Sequence, residues 1–85
     1  MTKIDLTTFM LSIASAAYMG LGVVPGEAGK PAEVNLELAK QNIDLLELLQ
    51  EKTNGNRSAD EEKLLTQLLF ETRMRFVETQ NKLKK

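Results

Sequence analysis

Eighty-five residues carrying 11 basic and 12 acidic side chains have a formal net charge of −1, so no overall field favours nucleic acid or an anionic membrane. Cysteine, histidine and tryptophan are absent, which removes disulfides, thiol nucleophiles, the usual zinc and haem ligands and the commonest acid–base residue. A chain this short hides only about 60% of its unfolded surface when it folds alone, so one thin core is expected, with self-association to supplement it.

The first element is written in FMLSIASAAYMGLG, Phe9 to Gly22, which has no charge and in which half the residues are Gly, Ala or Ser. Its periodicity predicts a helix from about Leu6 to Gly20, with Asp5 as N-cap and Gly20 or Gly22 in the terminating turn. Leu6, Phe9, Met10, Ile13, Ala17 and Leu21 form the larger apolar face. Leu11, Tyr18 and Met19, with Thr8, Ser12 and Ser15, form a flatter face that also lacks charge. A helix uncharged all the way round needs cover on every side, and Ser12, Ser15, Ala16 and Gly20 allow another helix backbone close. Against a transmembrane anchor, Phe9 to Val24 is sixteen uncharged residues where a span needs about twenty, and no flanking positive charge supports it. Membrane association through this helix is the alternative reading. A signal peptide is not expected, because Lys3 is offset by Asp5 just before the apolar run.

GVVPGEAGKPAEV, Gly22 to Val34, has two Pro and three Gly, which favours turns over helix. Asn35 then caps a second helix, Leu36 to Thr53, that Asn54-Gly55 ends. Leu38, Ala39, Ile43, Leu45, Leu46 and Leu49 fall on one arc; Glu37, Lys40, Asp44, Glu47 and Glu51 fill the other. Asn42 sits within the apolar arc. Either it bonds a neighbouring helix, through Ser12, Ser15 or a backbone carbonyl, or it sets register at an oligomer axis. Glu47 and Glu51, and Glu37 and Gln41, lie one turn apart on the charged face and read as solvated surface. A carboxylate metal site of the four-helix type needs Glu-x-x-His, and no histidine exists. GLGVVPG and GEAGK lack the spacing of a phosphate loop.

Ser58 with Glu61 has capping-box spacing, and Asp60, Glu61 and Glu62 suit the positive end of a third helix running from about Ala59 to Lys82. Lys82, Lys84 and Lys85 suit its other end. The short link NGNR predicts that helices two and three form an antiparallel hairpin. Leu65, Leu68, Leu69, Thr72, Phe76 and Leu83 should face helix two, while Phe70, Met74 and Val77 recur on nearly the opposite side. Arg73 and Arg75 diverge by about 200° on a helix, so they form no cationic stripe, and a Glu71–Arg75 pair accounts for the latter. Nucleic-acid binding is not expected.

The run NLELAKQNIDLLELLQEKTNGNRSADEEKLLTQLLFETRMRFVE, Asn35 to Glu78, resembles the bacterial family catalogued as domain of unknown function 1844, and DLTTFMLSIASAAYMGLGVVP, Asp5 to Pro25, resembles that family's N-terminal part. The resemblance implies a small all-helical cytoplasmic protein and carries no activity, cofactor or catalytic residue with it.

These residues predict an all-α three-helix bundle forming a single domain over 1–85. It is expected to associate with itself, as a dimer or higher, or with another protein, through Leu11, Ser15, Tyr18 and Met19 of helix one and Phe70, Met74 and Val77 of helix three. No catalytic, cofactor or metal site is expected.

Overall fold

A computed structural model describes residues 4–22 and 34–83; the expected Pro/Gly turn segment and the terminal Lys84 and Lys85 lie outside the described residues. Among the described residues there are three helices: α1 (Leu6–Gly20), α2 (Leu36–Lys52) and α3 (Ala59–Leu83). Each begins at a side-chain cap. The Asp5 carboxylate accepts the Thr8 amide at 2.8 Å and the Asn35 side chain accepts that of Leu38 at 3.1 Å. Ser58 and Glu61 bond reciprocally, Ser58 N donating to Glu61 Oε1 at 2.7 Å and Glu61 N to Ser58 Oγ at 3.1 Å. The first helix stops through Gly22, at φ 72°, and the turn after α2 uses Gly55, at φ 87°; both are left-handed conformations that glycine adopts without a Cβ penalty.

Gly20, the other residue expected to terminate α1, has a different duty. A Cβ on it would stand 2.7 Å from the Ala39 amide nitrogen and 2.9 Å from the Asn35 carbonyl oxygen. Its carbonyl accepts the Asn35 amide at 2.7 Å. The C-terminus of α1 is thereby pinned against the N-terminus of α2, with Ala17 and Ala39 fully buried at the crossing. At the other end Phe9 and Ile13 lie beside Leu45, Leu48 and Leu49, so the two helices are antiparallel. They share the most extensive contact of the three pairs.

The third helix packs antiparallel to α2. Thr66 lies near Gln50, while Phe76 and Val77 lie near Lys40, and Arg73 bridges to Glu47 at 2.9 Å between them. Both partners of that pair are about half exposed, so it adds well under about 1 kcal/mol. The hairpin link is fastened by Arg57, whose side chain is only 7% exposed. Its guanidinium donates to the Gln50 carbonyl at 2.6 Å, to Thr53 Oγ1 at 3.0 Å and to Glu62 at 2.7 Å. It thus satisfies a carbonyl at the end of α2 and holds the first turn of α3.

Met10, Ile13, Ala14, Leu46, Leu65, Leu68 and Leu69 form the core, with Leu6, Tyr18, Leu49 and Leu64 packed at its edge. Fully burying side chains such as Met10, Leu46, Leu65 and Leu69 contributes about 1.5–3 kcal/mol each. Thr72, also fully buried, donates its hydroxyl to the Leu68 carbonyl at 2.7 Å.

Two expectations are corrected. Leu83 is 57% exposed, because α3 has 25 residues against 17 in α2 and its last turn outruns the neighbour, whereas Phe76 faces α2 beside Lys40 and is partly covered. Asn42 is buried, but its Nδ2 donates to the Leu38 carbonyl of its own helix at 2.9 Å, not to a neighbouring helix.

Candidate interaction surface

Each helix touches both others, and in such a triangular arrangement roughly half of every helix surface faces water. For α2 that half is mostly charged and for α3 mostly polar or charged, as amphipathic periodicity requires. For α1 it cannot be, since LTTFMLSIASAAYMG contains no charge.

The outer side of α1 therefore presents Phe9, Leu11 and Met19, 48%, 46% and 52% exposed, with Ser12 and Ser15 also exposed between them. Tyr18 is the partly buried member of this group. Its ring packs at the core edge, and burial, reinforced by Glu71 and opposed by Arg75, raises its phenol above the ordinary range. Glu71 and Arg75 thus mark where α3 borders this side of α1. The expected Glu71–Arg75 bridge is not among the ion pairs of the described residues, which are Lys40–Asp44, Arg57–Glu62 and Arg73–Glu47.

Phe70, Met74 and Val77 line an open trough of about 470 Å³ with Thr66, Leu69, Arg73 and Gln50 of α2. Phe70 is the most exposed of the three at 67%. This trough is on the α2 side of α3, whereas Tyr18, with Leu11 next to it on α1, adjoins the opposite side. The seven residues singled out from the sequence consequently make two surfaces, not one.

A third feature was not anticipated. Phe9 and Leu45, assigned to buried arcs, are instead exposed and, with Leu48, Ile13, Leu49 and the Lys52 stem, line a groove between α1 and α2. Phe9 lies about 100° from Met10, at the margin of the arc that Met10, Ala17 and Leu21 define, and Leu48 adjoins Leu45 and Lys52 outside the charged arc of α2. Their marginal positions were the available signal. Only the angle at which α2 crosses α1 decides whether such residues are covered.

Among the described residues no three of Asp, Glu, His or Cys are grouped so that they could hold a metal ion, and no helix is long and apolar enough to cross a membrane. At 15 residues α1 spans about 22 Å, against a hydrocarbon core of about 30 Å. The uncharged stretch Phe9 to Val24 is not one helix, because α1 ends at Gly20. What this surface can do is pack against another apolar surface. Neither a curated protein nor a solved structure matches the chain. A family model does match, over residues 3–78, and the chain belongs to the family it describes, Domain of unknown function (DUF1844).

Proposed function

We propose that this protein is a non-enzymatic, homo-oligomeric interaction or scaffold module. One observation carries the proposal: α1 has no charged residue yet leaves Phe9, Leu11 and Met19 about half exposed, with Leu45 and Leu48 exposed on the adjoining flank of α2. Together with Phe70, Met74 and Val77 on α3, that is more apolar surface than scattered single residues supply. Burying three such side chains contributes roughly 5–8 kcal/mol per subunit as an upper bound, against an association cost of about 4–15 kcal/mol. A two-fold contact doubles the gain.

Membrane association is disfavoured by the length of α1 and by its lack of the Lys and Arg that hold surface helices at a headgroup layer. A bacterial cytoplasmic setting belongs to the same reading, and fractionation of native cells tests it. Light scattering on the purified chain in aqueous buffer tests the oligomer directly. A mass at least twice that of one chain is expected; a single-chain mass across the accessible concentration range sinks the proposal.

A further inference from the structure

We infer that the charge-free outer face of α1, continued by Leu45 and Leu48 of α2, is where a second copy of this chain docks, the two α1 helices lying antiparallel about a two-fold axis between Ser12 and Ser15. This rests on the homo-oligomeric reading above.

The pattern on α1 carries the choice of occupant. At about 100° per residue, its exposed arc has Phe9 and Ala16 along the edge next to α2, Thr8, Ser12, Ser15 and Met19 along the middle, and Leu11 with Tyr18 along the edge next to α3. In an antiparallel pair, like edges meet with their order reversed. Phe9 then falls beside Ala16 of the other copy, Leu11 beside the Tyr18 ring, Met19 over Thr8, and Ser12 opposite Ser15. Large side chains are set into recesses left by small ones, and the serines at the centre let the backbones approach. A parallel pair would instead bring unlike edges together, setting Phe9 beside Leu11 and Met19 on Met19, large against large, which packs less closely. Because one helix supplies both projections and recesses, the surface complementary to this face is this face again.

Area and charge agree with that occupant. Phe9, Leu11, Met19, Leu45 and Leu48 are 48%, 46%, 52%, 42% and 49% exposed, which amounts to roughly 350 Å² per copy if a fully exposed large side chain presents about 150 Å². The intervening Thr8, Ser12, Ser15 and Ala16 bring the total towards the ~800 Å² per partner of a stable interface. The α1 part of the face has no charge with which to select an acidic or basic partner, and Lys52, which lines the groove with Phe9, Leu45 and Leu48, lies at its margin on α2. By contrast, the trough at Phe70, Met74 and Val77 includes Arg73, which is paired with Glu47 of α2, and burying that pair would be costly.

The test combines light scattering with cross-linking on the full chain. Ser15 is exposed, so Ser15→Glu should retain the helical circular-dichroism signal while halving the mass, and Met74→Glu should leave the mass unchanged. The chain has no cysteine, so Ser12→Cys places one thiol per copy near the axis, within the ~4.4–6.8 Å Cα separation a disulfide needs. It should oxidise to a covalent dimer, whereas Gln67→Cys on the exposed side of α3 should not. An oligomer that survives Ser15→Glu but dissociates with Met74→Glu overturns this docking mode and leaves the oligomeric reading standing. A wild-type monomer overturns both.

Discussion

Gly20 lies so close to Ala39 that a single added carbon would meet the Ala39 amide nitrogen at 2.7 Å. The obstacle is backbone, within the first turn of α2, and it cannot rotate aside as a side chain would. Alanine ordinarily stabilises a helix interior by about 1 kcal/mol relative to glycine. Gly20→Ala should therefore show the opposite sign, a loss of about 1–3 kcal/mol from forced separation of α1 and α2. Urea denaturation checks this, with exposed Ser15→Ala as the neutral or slightly stabilising comparison. A stabilised Gly20→Ala protein would mean that the two helices are not in this contact.

Arg57 supplies a second prediction. Its nearly buried guanidinium bonds Gln50 O, Thr53 Oγ1 and Glu62 at once, and Thr53 Oγ1 in turn donates to the Leu49 carbonyl at 2.7 Å. Removing a charged donor with such partners costs about 1.5–3 kcal/mol. Arg57→Ala should lose that amount. Arg57→Lys should recover only part of it, because an ammonium cannot span three acceptors in the fork geometry of guanidinium. Equal stability of the Lys variant and the wild type in thermal melts would refute the three-way clasp.

The fold was legible where chemistry is local. Asp5, Asn35 and the Ser58–Glu61 pair mark the helix starts through bonds to residues three positions away, and Gly55 marks the turn into α3. It was not legible where two helices meet. Gly20 had two eligible roles, and only the approach of Ala39 selects one. Arg57 occupies a link without periodicity, and its Gln50 partner lies seven residues back, so nothing local reveals the clasp. The candidate surface divides the same way: Phe70, Met74 and Val77 stand opposite a well-defined buried stripe and were visible, while Phe9 and Leu45 sit at arc margins.

Asn42 tests whether a buried amide does more than occupy space. It is 8% exposed, and among the described residues the one hydrogen bond of its side chain is to Leu38 O of the same helix, whose carbonyl already belongs to the helical ladder. Substituting a similarly shaped apolar residue removes the donor without orphaning an acceptor. Asn42→Leu should therefore stay within about 1 kcal/mol of wild type in urea and keep its mass in light scattering. A changed stoichiometry would restore the register-setting role at an oligomer axis.

Tyr18 is the chain's single tyrosine, so its phenolate absorbance reports one group. Burial first, and Glu71 second, hold the phenol above its ordinary value of 10.0, with Arg75 pulling the other way. A folded value above the unfolded one means that the neutral ring stabilises the fold at every pH below about 10, and that this contribution disappears as pH rises through the folded value. The alkaline midpoint of native protein should accordingly exceed that of urea-unfolded protein. Glu71→Gln should lower it without returning it to the unfolded value, since burial persists, whereas Arg75→Gln should raise it. Tyr18→Phe should abolish the absorbance change and remove this part of the stability loss above pH about 10. Pairing of α1 faces would cover the ring further, so the native midpoint should also climb with protein concentration. A midpoint at or below the unfolded one would show that Tyr18 stands in water, off the core edge that positions the α1 face.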